Sequence, residues 1–282
     1  MRKQIAIAVD DFGEHVTINT AALALARAGR ISAISCMVGG PAWPEGAAAL
    51  RELDRPQVDL GLHFDLTQYP LEISPRPLAR LIGASWLRRL DPHRLRSEIE
   101  RQCDAFEADA RRAPDHVDGH QHVHQFPQVR DVLVDTLCRR YDPRPWLRDT
   151  RHAHVVGGTF DSTRVRADMK AAVIARLGAD ALRHLAAGRG VRQNRRLLGV
   201  HGLQADGRTY RHLLGGWLGV AQTGDLLVAH PASASAGATG AMAANRSAEY
   251  AVLSSAEFGD MLMQAEVEVA PMSALLARDT AS

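Results

Sequence analysis

Short apolar runs alternate with longer amphipathic stretches along this chain. Residues 4–9, 31–38, 58–64, 116–118, 146–148, 197–203, 226–229 and 267–269 are rich in β-branched or other apolar residues and read as strands. Between them, residues 18–28, 43–53, 93–112, 127–140, 165–187, 208–220 and 247–263 read as helices. In the third of these, Leu95, Ile99, Cys103 and Phe106 recur at close to the helical period and line one face. Strands alternating with helices predict a parallel sheet with helical crossovers. Seven or eight such units in 282 residues favour an α/β fold of one domain, an irregular (β/α) TIM-like barrel. A doubly wound sheet stays open as an alternative, because periodicity does not decide closure.

Residues 232–244 (ASASAGATGAMAA) lack any period and are expected to form a flexible loop. Residues 278–282 are expected to fray. The pairs Gly39-Gly40 and Gly215-Gly216 read as turns. With 46% apolar and 23% charged residues, the chain has enough core to exclude disorder as its main state. Lys and Arg number 34 against 32 Asp and Glu, a balance that gives no reason to expect nucleic acid or a membrane surface as the default partner. The apolar run before Asp10 is five residues long, and no run reaches 18, so neither a signal-peptide core nor a membrane span is expected. Cys36, Cys103 and Cys138 are dispersed and odd in number, which fits a reducing cytoplasm.

Titratable residues gather at the carboxyl ends of the expected strands. The first ends in Asp10-Asp11, the third carries His63, and the fourth runs into Asp118-Gly119-His120-Gln121-His122-Val123-His124. Arg148, His201 and His230 follow the later ones. Barrels and open α/β sheets place their ligand sites at this edge. Two adjacent carboxylates repel unless a cation or a turn takes one of them, so either a divalent ion or helix capping would account for the pair. His120 and His124 share a face in a helical turn, whereas His120, His122 and His124 share one in a strand. One Asp and two His from three strands make a facial set with open positions, the arrangement of a catalytic metal rather than a closed structural one. Motifs for a nucleophilic serine elbow, a phosphate-binding loop and a dinucleotide fold are absent.

The segments VDDFG, GLHFDLT and HVDGHQHVHQFP, spaced about fifty residues apart, resemble the YdjC-like family, the ChbG/HpnK carbohydrate deacetylases. WLRDT and LLVAHPA resemble weaker later signatures, and the likeness runs from Asp10 to about Tyr250. The chain departs from the family pattern at Val9, at Gly119 and at Asp65, where the family usually has Ala, Ser and Asn. The resemblance implies an irregular barrel that hydrolyses the N-acetyl group of an amino sugar, oligosaccharide or glycolipid. It implies Asp10 as general base, His230 as general acid and Arg148 as the residue that orients the base. It implies Asp11, His63 and His120 as ligands of one divalent metal ion (Mg²⁺ or Zn²⁺, with Mn²⁺ also suited), His124 being the alternative to His120. Asp118 would hold one histidine in its tautomer, and His124, Asp65 and His201 would contact substrate. Trp146, Trp217 and Tyr250 would stack on a sugar, although core packing is the commoner fate of such rings. The expected partner is a small N-acetylated sugar, with no nucleic acid, and the expected assembly is a homo-oligomer, a dimer. Another metal-dependent amidohydrolase or phosphoesterase, and a non-catalytic metal- or sugar-binding protein, are the alternatives.

Overall fold

A computed structural model describes residues 2–53, 57–153, 162–202, 205–234 and 240–279. Its parallel strands are β1 (Lys3–Phe12), β2 (Ala33–Cys36), β3 (Asp59–Phe64), β4 (His116–Gly119), β5 (Trp146–Leu147), β6 (Leu197–Leu198), β7 (Leu226–Ala229) and β8 (Val267–Val269). They lie in the order β5-β4-β3-β2-β1-β7-β6, with β8 pairing the first residues of β1. Isolated bridges, Leu147 to Gln193 and His152 to Leu197, join the β5 and β6 edges, so the sheet curls into an irregular barrel.

Helices pack around this sheet: α1 (Val16–Arg27), α2 (Trp43–Leu50), α3 (Leu78–Trp86), α4 (Pro92–Ala110), α5 (Val129–Arg140), α6 (Ser162–Arg176), α7 (Ala179–Gly188), α8 (Gly207–Val220), α9 (Ala241–Leu253), α10 (Ala256–Gln264) and α11 (Met272–Asp279). None of the described helices is long and apolar enough to cross a membrane.

The alternation of strand side chains sets the two faces of the sheet. In β1, Ile5, Ile7 and Val9 join the large cluster between sheet and helices. Ala6 and Ala8 point the other way and pack with Ala33, Trp146, Leu197, Leu226 and Val228 in the barrel interior. Met272 and Leu275 of α11 belong to the same interior cluster. The interior is narrow, so small residues sit where strands approach. At Gly61 a Cβ would fall 2.3 Å from the His116 ring, which stacks on Trp146 with centroids 4.4 Å apart.

Several expected elements are recast. The helix expected over 165–187 is two, α6 and α7, because Gly178 adopts φ +144° at the start of α7. The helix expected over 247–263 is α9 and α10, and α10 begins anew at Ser255, whose side chain accepts the Phe258 N–H. The strand expected to run to residue 203 stops at Leu198, where Gly199 takes φ +92° against the Val228 backbone. Residues 241–244 of the expected loop form the first turn of α9, while 235–239 of it lie outside the described residues. Of the expected frayed tail, Arg278 and Asp279 end α11 and the rest lies outside the described residues. Gly215-Gly216 is helical, inside α8. Two helices, α3 and α11, have no counterpart among the expected elements.

Gly61→Ala is expected to cost about 1–3 kcal/mol, the usual range for overpacking a core, because both His116 and Trp146 would have to give way. A urea midpoint equal to that of the parent protein would contradict this packing.

Candidate active site at the barrel mouth

The interior-facing rows become more polar toward the carboxyl ends of the strands. Ala6 and Ala8 give way to Asp10, Ala33 to Ser35, Gly61 to His63, and His116 to Asp118, with neighbouring strands aligned by their ladders. Asp11 would face outward in a regular strand. Instead it adopts φ 65°, and the β1–β2 register shifts between Val9 and Phe12. A left-handed conformation is costly for a non-glycine residue and persists only where its surroundings hold it. Here it turns Asp11 to the same mouth as Asp10. Neither carboxylate caps the next helix, since His15 accepts the Thr17 N–H at the start of α1.

Asp11 Oδ1 lies 3.3 Å from His63 Nε2 and 3.0 Å from His120 Nδ1. One ligand atom from each of these three residues falls within 4.8 Å of the others. On the far side of His63, Nδ1 is 2.6 Å from Asp118 Oδ1, which leaves Nε2 aimed at Asp11. This is the carboxylate–histidine pairing that orients ligands at metal sites. His120 Nε2 is buried without a partner. Asp11 Oδ2 accepts from Arg246 Nη2 at 2.6 Å, and the same nitrogen reaches Glu14 at 3.1 Å.

Beside this group, Arg148 is fully buried and donates to both oxygens of Asp10, each at 2.7 Å. Its Nη2 also bonds Ser35 Oγ at 3.2 Å and pairs with Asp118. Across the mouth, His230 Nε2 stands 3.9 Å from Asp10 Oδ2. The His230 backbone N–H donates to Glu249 at 2.6 Å, and Glu249 Oε1 accepts from Asn245 at 2.8 Å and pairs with His201 Nε2 at 3.0 Å.

The electrostatics follow from burial set against partners. Burial alone would raise the Asp10 carboxyl, but the Arg148 guanidinium holds it below its usual value. For Asp11, burial is again overcome, here by His120, His63 and Arg246, and its pKa falls well below the usual range. Burial opposes a charge on His63, yet Asp118, Asp10 and Asp11 raise its pKa well above the ordinary imidazole. Burial pushes His230 down despite its carboxylate neighbours. Three buried carboxylates (Asp10, Asp11, Asp118) thus face two guanidiniums (Arg148, Arg246), and Glu14 shares the second of these. A divalent cation among Asp11, His63 and His120 would take the imidazoles as neutral ligands. The donor set fits such an ion.

These groups open onto a cavity of about 310 Å³, lined by Asp10, Asp11, His63, His120, His201 and His230, with Lys170 and Met242 among its further walls. Two residues expected to contact substrate do not line it. The Asp65 carboxylate instead accepts from the Thr67 N–H and hydroxyl and from the Gln68 and Tyr69 N–H groups, all at 2.6–3.0 Å, which consumes it in its own turn. His124 is fully buried, with Nε2 3.1 Å from the Arg148 carbonyl oxygen, and burial lowers its pKa to about 4. The turn over His120–Gln125 separates the roles of the histidines: Gln121 and His122 take φ 52° and 60°, so His120 faces Asp11 while His124 turns behind Arg148. Of the two fates weighed for Trp146, Trp217 and Tyr250, the commoner one, core packing, is the one the structure gives them. Trp146 donates to Asp59, Trp217 packs with Tyr210 and His201, and Tyr250 packs against the core.

Arg246 and Glu249 were not singled out by sequence. With Asn245 they share one face of α9, at one-turn spacing, and are buried charged or polar residues on an otherwise ordinary helix. That spacing was the available signal, but nothing local says that the face is buried.

Among curated proteins, the chain is 31% identical to a human carbohydrate deacetylase over 150 residues, 48% of this chain and 46% of that protein. It is 28% identical to a chitooligosaccharide deacetylase of Enterobacter sp. (strain 638) over 148 residues, 50% of this chain and 58% of that protein. The chain spans about half the length of the curated relatives it matches. Among solved structures, a protein of Enterococcus faecalis V583 named for cellobiose-phosphate cleavage superposes with a TM-score of 0.66 at 17% identity, covering 98% of this chain and 99% of that one. A T48 deacetylase with substrate superposes with a TM-score of 0.51 at 12% identity, covering 98% and 92%. These likenesses establish a shared fold. The family model described as YdjC-like protein matches residues 4–264, and the chain therefore belongs to the YdjC-like protein family.

Proposed function

We propose that this protein is a metal-dependent hydrolase that removes the N-acetyl group of an amino sugar, oligosaccharide or glycolipid. The observation that carries this reading is the convergence of Asp11, His63 and His120 within 4.8 Å, next to a carboxylate held by a buried arginine at the mouth of a barrel. The names of the curated relatives, carbohydrate and chitooligosaccharide deacetylase, support the same substrate class.

Asp11, His63 and His120 would hold one divalent ion, and carboxylate with imidazole suits Mg²⁺, Mn²⁺ or Zn²⁺. The chemistry such an ion supplies is Lewis acidity toward an acyl oxygen and toward water. The remaining work belongs to the chain. Asp10 is the general base: Arg148 keeps it ionised and fixes both of its oxygens, so one accepts the water proton without rotating away. Desolvation lowers the pKa of the half-buried His230, and its Nε2 lies 3.9 Å from Asp10. It is placed to receive a proton and deliver it to the departing amine nitrogen. Glu249 holds the His230 backbone in that position. A protein that only bound metal or sugar would need neither the held base nor the histidine opposite it. By the same reading it acts on small N-acetylated sugars in the cytoplasm and works as a homodimer.

Acetate release from N-acetylglucosamine oligomers, measured with and without a chelator, tests the activity. Release that is lost on chelation and restored by a divalent metal is expected; no release under any metal would overturn the reading. Asp10→Asn should keep metal stoichiometry and lose about 10²–10⁴-fold in kcat, the range for a general base. A near-parental rate in that variant would remove Asp10 from the role. The double variant His63→Ala, His120→Ala should take up no metal by elemental analysis, and undiminished metal would refute the ligand set.

A further inference from the structure

The near-neutral balance of the whole chain hides a local excess. Between Ser74 and Arg96 there are six arginines and one aspartate. Three of these arginines, Arg76, Arg89 and Arg94, ring a second cavity of about 180 Å³, whose floor includes Leu81, Leu90 and Leu95. Other arginines nearby have acidic partners: Arg88 with Asp131, Arg96 with Asp135 and Arg101 with Glu72. Arg76, Arg89 and Arg94 have no carboxylate partner among the described residues. Asp91 also lines the cavity, but its carboxylate accepts the His93 and Arg94 N–H groups as the cap of α4. Three guanidiniums around one cavity repel each other unless an anion sits among them.

A second observation lies at the end of α3. Trp86 is 53% exposed and Leu87 63%, adjacent large apolar side chains within three residues of Arg89. The other tryptophans, Trp43, Trp146 and Trp217, are buried. An exposed aromatic and a leucine bordered by unpaired arginines have the composition of a surface that enters the headgroup boundary of a bilayer. Neither a soluble anion nor a neutral partner would use both halves. We propose that the end of α3 and the adjoining arginine cavity form a docking surface for an anionic lipid bilayer. Arg76, Arg89 and Arg94 take headgroup phosphates, and Trp86 and Leu87 insert among the upper acyl carbons. Leu78, at the other end of α3, lines the active-site cavity, so docking would set that cavity near the membrane surface, about 12 Å along the helix.

The test is co-sedimentation of the full chain with equimolar phosphatidylglycerol–phosphatidylcholine vesicles and with phosphatidylcholine vesicles alone. Binding only to the anionic vesicles is expected, reversed in about 1 M NaCl, where the Debye length is about 3 Å. Because three of the four tryptophans are buried, quenching by lipids brominated in the acyl chain reports Trp86. Arg76→Gln, Arg89→Gln, Arg94→Gln together, and separately Trp86→Ser with Leu87→Ser, should each weaken vesicle binding at least tenfold while leaving circular dichroism and acetate release unchanged. The proposal is overturned if the parent protein binds no anionic vesicle. It is equally overturned if inorganic phosphate binds at the arginines without any vesicle binding, or if light scattering shows that Trp86 and Leu87 instead join two copies of the chain. The vesicle, phosphate and light-scattering outcomes do not depend on the deacetylase reading.

Discussion

The barrel mouth depends on one buried cation. Arg148 is inaccessible to solvent and spans Asp10, Asp118 and Ser35, side chains from β1, β4 and β2, from its place beside β5. A lone charge at such a depth would cost several kcal/mol, and so would either carboxylate without its guanidinium. The groups are therefore tolerable only together. Arg148 makes Asp10 and Asp118 affordable in the interior, Asp118 in turn fixes the Nδ1 side of His63, and His63 presents its other nitrogen to Asp11. The bidentate fork also restricts Asp10 to one rotation, which a lysine in the same place would not do.

A second constraint is the two-residue period of a strand. It explains why the interior turns polar toward the strand ends: Asp10, Ser35, His63 and Arg148 continue inward-facing rows that begin with small or apolar residues, and Asp118 follows the buried His116. The same rule forbids Asp10 and Asp11 from sharing a face. The left-handed turn at Asp11 and the shifted β1–β2 register break the rule at the one place where both carboxylates are needed. Adjacent identical residues thereby come to different surroundings. One is held by a guanidinium, and the other faces two imidazoles. α9 then braces the arrangement from above, tying Asp11 through Arg246 and the His230 backbone through Glu249.

Most strands were legible because they are short apolar runs bounded by polar residues, and the residues at their carboxyl ends pointed to one edge. Legibility failed where chain direction or local bonding overrode pattern. No element was expected at α3, which follows prolines at positions 70, 75 and 77 closely enough to interrupt any helical period before it. Asp65 sits at a strand end like the others, yet its carboxylate folds back onto residues 67–69. His124 belongs to the same cluster as His120, but the two left-handed residues between them send it behind Arg148.

From the sequence alone came the strand–helix alternation, the barrel class, the family likeness and the set of titratable residues at one edge, because periodicity and residue type are local properties. Only the tertiary structure decided that His120 rather than His124 meets Asp11, that Asp65 is spent on its own turn, and that a face of α9 belongs to the site. Those outcomes rest on backbone torsions at single residues and on contacts across more than two hundred positions, as between Asp11 and Arg246, which no local pattern records.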